Sequence, residues 1–125
     1  MLLAEDIEIN REIMLALLKD LNIQIDCAAD GKQALEMFSS SEGCYDIVLM
    51  DVQMPIMDGL QATRAIRQST VADAKTIPII AITANAFAED IENCLGAGMN
   101  DHISKPIDTG EMLRKIAIYL SGKED

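Results

Sequence analysis

The 125-residue chain has no tryptophan, two tyrosines and two phenylalanines, so it offers little on which nucleic-acid bases could stack. Positive charge is scarce too: 10 Lys and Arg stand against 21 Asp and Glu, a net charge of -11, which repels a phosphate backbone. Direct nucleic-acid binding is therefore not expected. Cys27, Cys44 and Cys94 are odd in number and far apart, without the paired C-x-x-C spacing of zinc or redox sites, and read as reduced, mostly buried thiols. No apolar run approaches the roughly 18 residues of a spanning helix, so no membrane insertion is expected. Met1 leads directly into an apolar stretch with no basic leader, from which a cytoplasmic location is expected. What is present is a globular composition, 50% hydrophobic and 25% charged, in a length that suits one domain over residues 1–125. It carries no internal repeat, low-complexity segment or linker.

Short apolar runs alternate with amphipathic stretches. After Met1-Leu2-Leu3-Ala4, the residues Ile9, Ile13, Leu17 and Leu21 recur at helical spacing, Leu18 widens the stripe, and Glu8, Arg11, Glu12 and Lys19 lie opposite. Ile23, Ile25 and Cys27 alternate with Gln24 and Asp26 as a strand does, Asp30-Gly31 makes a turn, and Ala34, Leu35 and Phe38 predict a short helix ending in Ser39-Ser40-Ser41. A third strand is expected over 46–50. The next helix starts near Asp58-Gly59, turns Leu60, Ala62, Thr63 and Ile66 inward, and closes with Arg64 and Arg67 near its negative end. Residues 69–76 form a polar surface loop, and Pro78 opens a fourth strand. Phe87, Ile91 and Leu95 mark a fourth helix that Gly96 and Gly98 end, and Ile103 lies in a fifth strand. The last helix opens on Asp108 and Glu111 as a capping pair and buries Met112, Leu113, Ile116 and Leu120. Five β-α units of this kind imply an α/β fold, a parallel sheet covered by helices on both faces through right-handed crossovers.

Polar residues of particular kinds stand where the apolar runs end. Glu5-Asp6 follows the first run, Asp51 follows Ile47-Val48-Leu49-Met50, Thr83 follows Ile79-Ile80-Ala81-Ile82, and Lys105-Pro106 follows Ile103. In a parallel sheet all these ends share one edge, where open α/β sheets bind ligands. Three acids, a hydroxyl and an ammonium then converge. Like charges so close together are unfavourable unless a cation sits among Glu5, Asp6 and Asp51. Mg²⁺, which prefers oxygen ligands and keeps several waters, suits such a set.

These residues resemble the receiver domain of two-component response regulators over residues 2–120. The resemblance rests on the acidic pair, the strand-ending Asp51 with Met54-Pro55 and Asp58-Gly59 behind it, the strand-ending Thr83-Ala84, and Lys105-Pro106. The segments Met50-Asp51-Val52-Gln53-Met54-Pro55, Ile82-Thr83-Ala84-Asn85-Ala86 and Gly98-Met99-Asn100-Asp101-His102-Ile103-Ser104-Lys105-Pro106 look most like receivers fused to hybrid sensor histidine kinases. The resemblance implies a flavodoxin-like strand order 2-1-3-4-5 with five helices. It also implies Mg²⁺-dependent transfer of a phosphoryl group from phosphohistidine to Asp51 in a phosphorelay.

By the same resemblance, Asp6 and Asp51 bind the ion directly, Gln53 gives its backbone carbonyl, and Glu5 acts through water. Lys105, the Thr83 hydroxyl and the Ala84 backbone N–H meet the charge on the phosphoryl oxygens. Thr83 and His102 make a switch, and Gln53 and Asn85 border the path of the water that removes the group. Such a domain assists its own phosphorylation and autodephosphorylation without being an independent enzyme. Its partner is a histidine kinase or a histidine phosphotransfer domain, and it is a monomer or weak dimer.

Singly, Lys105 reads as a solvated lysine, Thr83 as a strand former and Asp6 as a helix N-cap; it is their joint placement at strand ends that points to a site. A phosphatase or phosphomutase with an Asp nucleophile would need a second Asp two residues on, where Gln53 stands and has no proton to give. A flavin carrier would need a small-residue phosphate loop after the first strand, and Glu5-Asp6-Ile7-Glu8 would repel phosphate. The alternative is a receiver-like scaffold that has lost phosphorylation and only binds a partner protein; the intact Asp6, Asp51, Thr83 and Lys105 argue against it, and phosphoprotein formation decides. Two departures from the family stand out: Ile7 in the place of the usual Asn, and His102, the single histidine, in the place of an aromatic. With no second histidine and no Gly-rich ATP lid among these 125 residues, the source of phosphate is expected to lie outside them.

Overall fold

In the computed structural model, which describes residues 1–41, 45–71, 74–84 and 88–124, five parallel strands form one sheet in the order β2-β1-β3-β4-β5. The strands are β1 (Leu2–Ala4), β2 (Asp26–Ala28), β3 (Val48–Asp51), β4 (Ile79–Thr83) and β5 (Asp101–Ser104). Among the described residues the helices between and after them are α1 (Glu8–Leu18), α2 (Gly31–Ser41), α3 (Gly59–Gln68), α4 (Ala88–Ala97) and α5 (Thr109–Glu124), and a 3-10 turn (Lys19–Leu21) extends α1. The expected α/β architecture and strand order are those observed. Leu2 pairs with Asp26 and with Val48, Val48 with Ile79, and Ile80 with Asp101, which brings the four functional strand ends to one edge.

Alternation along the strands divides the interior into two layers. Leu2, Ala4, Val48, Met50, Ile79 and Ala81 face Ala34, Phe38, Ala62, Ile66 and Cys94 of α2, α3 and α4. Leu3, Leu49, Ile80, Ile82 and Ile103 face Met14 and Leu18 of α1 and Met112 and Ile116 of α5. The central strands β1, β3 and β4, covered on both sides, are apolar up to their carboxyl ends, which is why they read as unbroken runs.

Helix ends follow their local chemistry. Asp58 caps α3 in a full capping box, its carboxylate accepting from the Gln61 amide at 2.8 Å and the Gln61 side chain accepting from the Asp58 amide at 3.1 Å. Asp108 accepts from the Glu111 amide at 3.1 Å, while the Glu111 carboxylate pairs with Lys115 at 3.1 Å. Gly98, at φ +112°, ends α4, with its own amide bonded to Leu95 O and that of Met99 to Cys94 O. Arg67, at the end of α3, donates to the carbonyls of Gly98 and Ala74 and to Asn100 Oδ1, tying three segments together.

Three sequence expectations need correction. The inner face of α1 is Met14 and Leu18, with Leu17 and Leu21 half-buried, whereas Ile9 and Ile13 are 59% and 50% exposed. Apolar residues occupy so much of this helix that two stripes one position apart were available, and the packed one places Ile13 at a cleft instead of in the core. In α4 the buried residues are Cys94 and Ala97, Ile91 is half-buried and Leu95 is 52% exposed; Phe87 lies outside the described residues. Third, two strands are shifted: β3 covers Val48–Asp51, so Asp51 is itself the last strand residue, and β2 covers Asp26–Ala28, leaving Ile23 and Ile25 before it. Cys27 is half-buried and Cys94 buried, both as free thiols, and Cys44 lies outside the described residues.

Candidate functional site

Glu5 and Asp6 leave β1, Asp51 ends β3, Thr83 ends β4 and Lys105 follows β5, so parallel register alone assembles the cluster. One carboxylate oxygen each from Glu5, Asp6 and Asp51 lies within 4.8 Å of the others. Glu5 and Asp51 are almost fully buried, at 1% and 2% exposure, and Asp6 is half-buried. The Lys105 ammonium reaches Asp51 Oδ2 at 3.1 Å and Glu5 Oε2 at 3.7 Å. Its backbone amide donates to Thr83 O at 2.8 Å, which fixes the root of the side chain, and the Lys105-Pro106 peptide is cis.

The electrostatics show a site short of positive charge. Burial, then a hydrogen bond and charge shared with Asp51, push the Glu5 carboxyl above its usual range, against the Ile7 amide and Lys105, which pull it down. Burial alone would lower the Lys105 amine, but the hydrogen bond and charge of Asp51, with Glu5 and Asp6 behind, hold it above the ordinary lysine value. One ammonium thus answers three carboxylates. An all-oxygen donor set of this compactness, with an excess of negative charge that burial makes costly, fits a hard divalent cation such as Mg²⁺.

Two supporting residues had no signature in the sequence. In the first turns of α1, Asn10 Nδ2 lies 3.5 Å from Glu5 Oε1 and the Arg11 guanidinium donates to Glu5 O at 2.7 Å, so the helix behind the acidic pair holds Glu5 in place. Their polarity on an amphipathic helix looks like a solvated face; only the β1-α1 geometry tells otherwise. Asn10, Ile13 and Met14 also line, with Ile82, Lys105, Pro106 and Ile107, an open cavity of about 290 Å³ beside the cluster.

The other expected residues fall as follows. The Gln53 amide donates to Asp51 Oδ1 at 3.1 Å, which places Gln53 on the rim, exposed. Thr83 is buried at the end of β4 and Ala84 next to it is exposed. His102 is half-buried on β5, its Nδ1 3.7 Å from Asp101 Oδ1 and its carbonyl accepting from the Lys115 ammonium. Asn85 lies outside the described residues.

Comparisons with known proteins agree with this geometry. Residues 1–117 match the response regulator receiver domain family. The chain is 44% identical over 110 residues to hybrid signal transduction histidine kinase I of Dictyostelium discoideum, covering 86% of this chain and 6% of that protein. It is 45% identical over 114 residues to two-component system protein A of Emericella nidulans, covering 90% of this chain and 16% of that one. It thus spans a small part of these relatives. Among solved structures it resembles the receiver domain of a sensor histidine kinase from Pseudomonas aeruginosa PAO1, at 40% identity and a TM-score of 0.86 over 96% of this chain and 95% of that one. That structure holds a magnesium ion coordinated in its active site cleft.

Proposed function

The chain belongs to the response regulator receiver domain family, and from that premise we propose that Asp51 is the residue that accepts a phosphoryl group. The observation that carries the reading is the buried Asp51 carboxylate at the sheet edge, 3.1 Å from the Lys105 ammonium and grouped with Glu5 and Asp6. Asp6, Asp51 and the Gln53 backbone carbonyl would hold Mg²⁺, with Glu5 acting through water. When bound, the ion supplies positive charge against the oxygens of the transferring group.

A carboxylate oxygen of Asp51 attacks phosphorus in line; the new O–P bond forms as the P–N bond to the donor imidazole breaks, and the imidazole nitrogen keeps the bonding pair. Little further chemistry is required of the protein, because phosphoryl transfer depends mainly on positioning and on neutralising the equatorial oxygens. Lys105 meets one part of that charge, and the Thr83 hydroxyl and Ala84 N–H another. Once the group is in place, Thr83 moves toward it and His102 follows, which remodels the face made by α4, β5 and α5. Gln53, on the rim beside Asp51, borders the water path, and autodephosphorylation is intermediate and changes when Gln53 or Asn85 is replaced.

Residues 1–125 act as a single receiver domain whose donor or acceptor is a histidine kinase or histidine phosphotransfer domain. It works in the cytoplasm as a monomer or weak dimer, without binding nucleic acid. No helix of the described residues is long and apolar enough to cross a membrane. The test is incubation with acetyl phosphate or phosphoramidate and Mg²⁺, followed by mass spectrometry. One hydroxylamine-labile phosphoryl group is expected on the wild type and none on Asp51→Asn; equal labelling of the two would sink the assignment.

A further inference from the structure

The segment between Asp51 and α3 is gripped from two sides by glycines that have no room for a side chain. At its far end, Gly59 donates to Val52 O at 2.9 Å, and a Cβ built on Gly59 would stand 2.2 Å from Asp51 O and 2.9 Å from Val52 Cα. At its crest, Gly31 donates to Met57 O at 2.9 Å, and a Cβ there would stand 2.1 Å from that same oxygen and 2.9 Å from Asp58 O. Both neighbours are backbone, so neither can give way by turning a side chain. Gly31 is the first residue of α2 and belongs to a different β-α unit from Asp51. Its amide is one of the donors that a helix start leaves without an intrahelical partner, and it is spent on this loop.

The loop is also bent tightly between these grips. The Met57 amide donates to Pro55 O at 2.7 Å across Ile56, whose φ is +69°. Left-handed backbone is costly for a β-branched residue and persists only where surroundings impose it. Its side chain does not account for the bend, since Ile56 is 78% exposed. The imposed shape is instead fixed by what holds Met57 and Gly59. Gln53 lies in the same short segment, with its amide on Asp51 Oδ1.

We propose that Gly31 is a positioning residue of the metal site: by fixing the Met57 carbonyl, the first residue of α2 sets the path of the loop and hence where the Gln53 backbone stands relative to Asp51. The inference rests on the metal-site reading above and extends it to a residue that touches none of the acids.

The first measurement needs no variant. When ¹⁵N-labelled wild-type protein is titrated with MgCl₂, the Gly31 amide resonance is expected to move with the same midpoint as that of Gln53, while Gly110 at the start of α5 stays in place. A wild type that does not titrate at all would overturn the metal-site reading and this inference with it. A titration that moves Gln53 but leaves Gly31 still would overturn this inference alone. Calorimetry then reads the coupling: Gly31→Ala should weaken Mg²⁺ binding at least about tenfold, and adding Ile56→Gly, which frees the bend, should recover affinity to within about threefold of wild type. If Gly31→Ala binds Mg²⁺ as the wild type does and only melts earlier, Gly31 is a packing residue and the inference fails.

Discussion

At the scale of single residues, pH acts on this protein through two carboxyls shifted in opposite directions. Glu5 is raised, by burial first and Asp51 second, from an ordinary value of 4.5. Between that value and its higher folded one the native chain holds more protons than the unfolded chain, so stability falls as pH rises through the window. For Asp101 burial acts upward, but the His102 amide, Lys115 and Tyr119 outweigh it and hold the group below 3.8, so its contribution is present above that pH and is lost as pH falls through the folded value. Glu5→Gln is therefore expected to raise the melting temperature in chelator near neutral pH by about 3 °C or more, with the gain shrinking toward about pH 4. Thermal melts across that range check it, and a variant less stable at neutral pH would show that the Glu5 charge is not a burden. Glu5, Asp6, Asp51 and Lys105 were legible in the sequence because charge at the end of an apolar run is out of place. Asn10 and Arg11 were not, since nothing in a helical pattern says which polar residues turn back toward the strand before it.

At the scale of elements, α1 and α3 differ in how they begin. Ile7 stands at the N-cap of α1 and offers no side-chain hydrogen bond, whereas Asp58 closes a capping box on α3. Ile7→Ser is expected to add about 1 kcal/mol and Asp58→Ala to remove about 1 kcal/mol, read as shifts of the urea midpoint at unchanged slope. No gain from Ile7→Ser would mean that the β1-α1 turn, already held by the Ile7 amide on Glu5 Oε1 at 3.2 Å, leaves the cap no purpose. The existence of five strands and the α3 face could be read directly, the latter because Leu60, Ala62, Thr63 and Ile66 form a single stripe, whereas the bounds of β2 and β3 could not. The faces of α1 and α4 could not: Ile9 and Ile13 compete with Met14 and Leu18, and Leu95 with Cys94, and hydrophobicity alone does not choose between adjacent stripes. The choice is made by what lies opposite, which for Met14 and Leu18 is the sheet face carrying Leu3, Leu49 and Ile82.

At the scale of the whole molecule, a cation bound only by the folded chain must stabilise it. Mg²⁺ at 100 times its dissociation constant should add about 2.7 kcal/mol, and Asp6→Ala should abolish that increment; melts of both proteins with and without Mg²⁺ decide it. A stabilisation that survives in Asp6→Ala would place the ion elsewhere. The strand order has a further effect. Every pairing in the sheet joins strands separated by at least one helix, Leu2 with Asp26 and Val48, Val48 with Ile79, Ile80 with Asp101. There is no hairpin among these pairings, and such remote contacts form slowly because a long loop must close before any of them is made. Lys105 follows the strand laid down last, on the far side of β4 from Asp51. A nascent or truncated chain ending before residue 105 therefore carries Glu5, Asp6 and Asp51 and none of the ammonium that answers them, so competence to take a phosphoryl group should arise only once synthesis has passed residue 105: fragments that end before it should stay unlabelled even where they are compact.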